Sequence, residues 1–172
     1  GCLADDMGLG KTIQTLCLLQ WLKEEKRGIN LLVVPTSLIY NWEQEAAKFT
    51  PELKVLVHTG NQRTKNNQDF TIYDIVLTSY GTLRRDKELL CSTHFNYIIL
   101  DESQAIKNPQ SDTTQVCLSL KANRFLTLTG TPLENSITDL WSQVHFFNRN
   151  MLGTQNHFVN ACKQEHKQEM YR

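Results

Sequence analysis

The chain has 172 residues, 40% of them apolar, which is material for one hydrophobic core and too little for two full domains. Eighteen basic residues balance eighteen acidic ones, so no global field marks a nucleic-acid binder, and such a partner must be met by locally concentrated charge. The five cysteines (Cys2, Cys17, Cys91, Cys117, Cys162) are odd in number and lack a C-x-x-C pair, and no apolar run approaches the roughly 20 residues that span a bilayer, so a soluble intracellular protein with no membrane partner is expected.

Asp5 to Thr12 reads Asp-Asp-Met-Gly-Leu-Gly-Lys-Thr and opens a helical pattern through Ile13, Leu16, Cys17 and Leu19, predicted to run to about Lys26, where Gly28 stops it. A loop of this kind before a helix suits phosphate capture. Gly8 and Gly10 let backbone N–H groups face inward, Lys11 adds a point charge, and the Thr12 hydroxyl can ligate magnesium. Asp6, Met7, Gly8, Leu9, Gly10, Lys11 and Thr12 are therefore the candidate nucleotide-binding set. The general G-x-x-x-x-G-K-[ST] pattern has Gly where Asp5 stands.

Leu31 to Val34 reads as a buried strand ended by Pro35, and Thr36 and Ser37 are positioned to cap a helix with Leu38, Trp42, Ala46 and Phe49 on one face. Lys54 to His58 is a further strand, and the polar Asn61 to Gln68 a loop or short helix. Asp74 to Ser79 (strand), Tyr80 to Leu90 (helix, with Arg84, Arg85 and Lys87) and Tyr97 to Leu100 (strand) follow. The last of these delivers Asp101 and Glu102, a carboxylate for a second magnesium contact and one that can hold an attacking water. Thr113 to Lys121 reads as helix, Phe125 to Leu128 as strand, and Ile137 to Phe147 as a helix with Leu140, Trp141, Val144 and Phe147 on its apolar face. The polar residues 148–172 are expected to form a linker or docking helix. Short strands alternating with helices predict an α/β domain over residues 1–147, a parallel sheet covered on both faces, with its ligand beyond the carboxyl ends of the strands.

Leu3 to Gln14 resembles motif I of the Swi/Snf-type ATPases, a branch of the superfamily-two helicases, in which Asp5 belongs to the pattern. Val33 to Leu38 with Asn41, Trp42 and Glu45 resembles motif Ia, and Leu77 to Tyr80 resembles motif Ib. Leu128 to Leu133 with Asn135, Leu140 and Trp141 resembles motif III and its helix. The acidic motif reads Asp101-Glu102-Ser103-Gln104, with Gln104 where better-known members carry His; Gln104 followed by Ala-Ile-Lys-Asn is similar to the bacterial branch. The resemblance implies the first of two RecA-like P-loop lobes of an ATP-driven double-stranded DNA translocase that remodels a protein–DNA complex. Lys11 would hold the β- and γ-phosphates, Thr12 and Asp101 the magnesium, and Glu102 the hydrolytic water, with Gln104 beside it. Thr129, Gly130 and Thr131 would couple hydrolysis to motion. Pro35, Thr36, Ser37, Thr78 and Ser79, with Arg84 and Lys107, would lie along one DNA strand. No segment after Phe147 resembles the family's second-lobe motifs, so the chain alone is expected to hydrolyse ATP very slowly. Two other readings remain open to these residues: a nucleotide-gated binding module that does not hydrolyse, and a strand-separating helicase. A P-loop kinase or small GTPase lacks the Thr-Gly-Thr-Pro segment in this register. The compartment would be the cytoplasm or nucleoid of a bacterium, or a nucleus.

Overall fold

The computed structural model describes residues 1–6, 8–61, 63–130, 137–149 and 151–169, and for 137 and 163–169 the backbone alone. Met7, Thr131 and the Pro132, Leu133 and Asn135 of the third motif lie outside the described residues.

Six strands, β1 (Cys2–Leu3), β2 (Asn30–Val34), β3 (Val55–His58), β4 (Ile75–Ser79), β5 (His94–Leu100) and β6 (Lys121–Leu128), form one sheet in the order β1-β6-β5-β2-β4-β3. Every pairing is parallel. Among the described residues seven α-helices accompany them: α1 (Lys11–Glu24), α2 (Ile39–Phe49), α3 (Tyr80–Arg85), α4 (Lys87–Ser92), α5 (Asp112–Ser119), α6 (Ile137–Phe147) and α7 (Gln155–Glu169).

Side chains alternate between the two faces of a strand, and here both faces are covered, which is why Leu31–Val34 of β2, Ile75–Leu77 of β4 and Tyr97–Leu100 of β5 read as apolar runs. Leu32 and Val34 of β2, Ile75 and Leu77 of β4 and Ile99 of β5 meet Leu16, Leu19 and Leu22 of α1 and Trp42 and Ala46 of α2. On the opposite face Leu31, Val33, Val76, Ile98 and Leu100 meet Leu83 of α3, Leu90 of α4, Cys117 of α5 and Phe146 of α6. Among the described residues no helix is long and apolar enough to cross a membrane.

Several expectations need correction. In α1, Ile13 and Cys17 point to solvent while Leu16 and Leu19 are buried; the helix is anchored by a narrower stripe, completed by Leu22. Phe49 is exposed as well, at the far end of α2. Thr36 and Ser37 do not cap that helix with their side chains: Thr36–Leu38 forms a 3-10 turn that runs into it. The helix expected over Tyr80–Leu90 breaks at Asp86 into α3 and α4. Strands β5 and β6 start earlier than their apolar runs because His94 pairs with Lys121 and the ladder continues to Leu100 and Thr127. Past Asn148 the chain forms α7, which contacts α6, and the Trp141 indole donates to the Gly153 carbonyl at 3.2 Å.

Candidate functional site

A parallel sheet sends all its carboxyl ends to one edge, and the register here aligns them: Leu3 opposite Leu128, Leu100 opposite Thr127, Val33 opposite Leu100, and Val34 opposite Ser79. The phosphate-loop candidate, Thr129–Gly130, Asp101–Glu102, the Pro35–Ser37 turn and the start of α3 therefore emerge side by side. Brought to one edge, the loop and the acidic pair line a cleft of about 310 Å³: Gly8, Gly10, Lys11 and Thr12 on one side, Asp101 and Glu102 on another, and Asn41, Trp42 and Glu45 of α2 closing the third. A larger open depression of about 520 Å³ lies at Lys65, Arg85 and Lys87, but it gathers none of the phosphate-loop or acidic-pair residues.

In the loop, Gly8 and Gly10 have φ of +86° and +79°, the left-handed region that strains any residue with a Cβ, so glycine is required at both. Gly10 stands at the N-terminus of α1, where backbone N–H groups are unpaired and favour an anion. The Gln14 side chain braces the loop by donating to the Leu9 carbonyl at 3.2 Å and to Asp5 Oδ2 at 3.3 Å. Lys11 Nζ donates to the carbonyls of Asp5 at 2.6 Å and Asp6 at 3.0 Å, neutral acceptors that a phosphate oxygen would outcompete. Leu9 is exposed on the outside of the loop.

At the end of β5, Asp101 is 8% exposed, and burial pushes its carboxyl above the usual carboxylate range. Opposing that shift are the Trp42 indole N–H, which donates to Oδ2 at 2.8 Å, the Glu102 backbone N–H, which donates to Oδ1 at 2.9 Å, and the charge of Lys11. The Asp101 carbonyl accepts the Tyr80 hydroxyl at 2.7 Å, and burial raises that phenol well above its ordinary value. A desolvated carboxylate facing a lysine and a threonine hydroxyl fits Mg²⁺, which keeps most of its waters and takes one or two carboxylates plus substrate phosphates. Among the described residues no group of three or more His, Cys, Asp or Glu is placed to hold a metal.

Glu102 has φ +49° and ψ +56°, left-handed for a residue with a side chain, a conformation that costs about 1–2 kcal/mol and is characteristic of functional turns. Its Oε2 accepts the Gln104 amide at 2.6 Å, while Gln104 Oε1 accepts the Thr129 hydroxyl at 3.4 Å. Gln104 thus spans from the acidic pair to the end of β6. Two further bonds tie the acidic segment to α6: Ser103 donates to Gln143 at 3.0 Å, and Ser142 donates to the Lys107 carbonyl at 3.0 Å.

The remaining candidates divide. Thr36, Ser37, Arg84 and Lys107 are exposed, and Pro35 is half-buried. Thr78 is fully buried and donates its hydroxyl to the His58 carbonyl at 2.8 Å, and the Ser79 hydroxyl caps α3 by accepting the Thr82 N–H at 3.1 Å. The Thr78 hydroxyl is engaged with β3 and the Ser79 hydroxyl with the first turn of α3, so neither is free here for the direct contact expected of them. Ser103, Tyr80 and Gln143 also join this network, though the sequence motifs assign them no role. Their partners are far apart in sequence, and only the buried polar character of Tyr80 and Ser103 beside an acidic pair could have hinted at them.

The family model of the SNF2-related domain matches residues 1–172. The chain belongs to the SNF2-related family. It is 43% identical over 159 residues to the putative ATP-dependent helicase/translocase YwqA of Bacillus subtilis (strain 168), covering 89% of this chain and 17% of that protein. It is 44% identical over 153 residues to helicase SWR1 of Cryptococcus neoformans var. neoformans serotype D (strain B-3501A), covering 85% of this chain and 12% of that protein. The Sulfolobus solfataricus SWI2/SNF2 ATPase core in complex with dsDNA superposes with a TM-score of 0.84 at 42% identity, over 91% of this chain and 33% of that one. The fold of this SNF2-related chain is thus the RecA-like α/β fold that the resemblance implied. The chain spans less than a fifth of those two relatives and a third of the solved core. Since a bacterial and a fungal relative stand at nearly equal identity, overall similarity adds no support to the bacterial branch assigned from Gln104.

Proposed function

We propose that this chain is the first motor lobe of an ATP-dependent double-stranded DNA translocase that remodels protein–DNA complexes. The observation that carries this reading is the shared cleft lined by Lys11 and Thr12 at the start of α1 and by Asp101 and Glu102 just after β5. Lys11 would exchange the Asp5 and Asp6 carbonyls for the β- and γ-phosphates, and the N–H groups around Gly8 and Gly10 would line the phosphate chain. Thr12 and Asp101 would hold the magnesium, which when bound supplies charge neutralisation on the triphosphate. Glu102 would orient the attacking water, and Gln104 would relay its position to Thr129 and Gly130. Pro35, Thr36, Ser37, Arg84, Lys107 and the backbone at the start of α3 would follow one DNA strand through phosphate contacts that carry no base information, as movement along any sequence requires.

Phosphoryl transfer of this kind also needs positive charge on its transition state, worth about 10³–10⁵ in rate when an arginine supplies it. Among the described residues lining the cleft the only cation is Lys11. Efficient hydrolysis would therefore need a second RecA-like lobe to face this one, and the 172 residues alone would turn over very slowly.

The test is ATP hydrolysis by the intact protein with duplex DNA, single-stranded DNA and RNA, alongside nucleotide binding. Duplex DNA should stimulate most and Lys11→Ala should abolish turnover. Glu102→Gln should lower turnover by about 10²–10⁴ while leaving ATP binding within a few-fold. Preferential stimulation by single strands would favour a strand-separating helicase. Equal loss of ATP binding in both variants would refute the roles assigned to Lys11 and Glu102.

A further inference from the structure

Trp42 stands three residues into α2, is 2% exposed, and packs within the same apolar cluster as Leu32, Leu77 and Ile99. A buried indole normally finds an acceptor for its N–H. This one is given to Oδ2 of Asp101 at 2.8 Å, while the backbone N–H of Glu102 takes Oδ1 at 2.9 Å. One donor on each oxygen fixes the carboxylate plane, and the charge of a carboxylate that burial disfavours is met by two directed dipoles. Each oxygen retains a further acceptor position. An aromatic side chain that served only to fill space at this point would not need a nitrogen; a Phe of similar reach would pack against the same leucines.

We propose that Trp42 is a positioning residue for metal binding: its indole N–H holds the Asp101 carboxylate in the orientation in which it can accept Mg²⁺ beside a bound nucleotide. This rests on the reading of Asp101 as a magnesium ligand given above. Donors that orient a ligating group typically govern metal affinity by about 10- to 100-fold. Trp42 therefore belongs to the metal site through Asp101, although it touches neither metal nor substrate.

The experiment uses the intact protein with saturating ADP and Mn²⁺ as the magnesium probe, bound and free metal being distinguished by electron paramagnetic resonance. Three variants are compared with wild type: Trp42→Phe, the protein carrying β-(3-benzothienyl)alanine at position 42, and Asp101→Asn. The benzothienyl side chain keeps the shape of tryptophan and replaces N–H by sulfur, so a fold damaged by the smaller ring of Trp42→Phe does not leave the proposal without a test. The expected result is Mn²⁺ affinity weakened about tenfold or more by the benzothienyl residue, with metal-free ADP affinity unchanged, and a larger loss in Asp101→Asn. If Asp101→Asn loses Mn²⁺ but the benzothienyl protein binds it within twofold of wild type, the proposal for Trp42 is overturned while the magnesium reading stands. If Asp101→Asn binds Mn²⁺ as wild type does, the magnesium reading is overturned and this inference with it.

Discussion

Gln104 holds the position between the acidic pair and the end of β6 with a side chain that both donates and accepts but carries no proton that titrates near neutral pH. Its amide occupies Oε2 of Glu102, so in this resting arrangement one lone pair of the proposed water-holding group is already engaged. A hydrogen bond to a charged group is worth about 1.5–3 kcal/mol. Gln104→Ala in the intact protein should therefore lower duplex-stimulated turnover by roughly 10- to 100-fold while nucleotide binding is retained. Gln104→His should restore much of the turnover at pH 8 but lose it below about pH 6.5, where an imidazole becomes charged and can no longer accept from Thr129. Turnover unchanged in Gln104→Ala would remove Gln104 from the coupling path. At this scale the sequence was legible where chemistry sits in adjacent residues: Gly8 to Thr12 opens a helical pattern, Asp101-Glu102 follows an apolar strand, and the two together point to a phosphate site. What it hid were partners distant along the chain. Trp42 meets a carboxylate 59 residues away, which helical periodicity could only register as an apolar position. Thr78 and Ser79 have the right hydroxyls for phosphates, yet burial turns both inward.

The break between α3 and α4 shows how an element is shaped by a contact that local propensity does not contain. Asp86 sits at the junction, and both its oxygens are taken: Arg63 approaches in a forked pair, and His58 Nε2 lies 3.0 Å from Oδ2. Although burial raises it, hydrogen bonds from Arg63 and His58 hold the Asp86 carboxyl below its usual range. His58, fully enclosed and edge-on to Phe70, is pushed down by burial against the pull of Asp86, so it is neutral at pH 7 and donates from Nε2, leaving Nδ1 without a partner. The pair closes the end of β3 onto the start of α4. A histidine whose folded pKa lies below its unfolded value of about 6.5 takes up protons on unfolding, so stability is complete above that pH and declines as pH falls through 6.5 toward the folded value. Amide exchange of β3 and β4 in the intact protein, corrected for intrinsic rates, should show an opening free energy that falls between pH 7 and pH 5. His58→Gln should flatten that slope, with His145, also pushed down by burial, contributing one of the same sign. An identical slope in the variant would contradict the assignment. Contacts distant along the chain also set the boundaries that escaped the sequence. Strands β2 and β4 were legible because both faces are buried. β1, two residues long, exists only through its ladder to β6, and the first half of β6, where Lys121, Asn123 and Arg124 are polar and exposed, is held by its register with β5.

For the molecule as a whole, one parallel sheet converts separate sequence motifs into a common edge. The strand leading into the glycine loop and the strand ending in Asp101 are not neighbours; β6 lies between them, so Thr129 and Gly130 emerge between the two halves of the cleft. That placement would give the proposed relay from Glu102 through Gln104 to Thr129 its direction, from the proposed nucleotide site toward α6, to which Ser103 and Lys107 are tied. Fold class and cleft were both readable beforehand because strand–helix alternation dictates where the carboxyl ends go. The closure of the cleft by α2 was not, since it depends on how that helix packs across the sheet.

The central claim, that a nucleotide's metal is gripped between Thr12 and Asp101, is tested most directly by anomalous diffraction from crystals of the intact protein grown with ADP and Mn²⁺. The expected result is a single manganese peak within coordinating distance of the Thr12 hydroxyl and adjacent to the Asp101 carboxylate, about 2–2.5 Å from the phosphate oxygens. A peak at another acidic position with this cleft left open, or nucleotide bound with its phosphates away from Lys11, would contradict it.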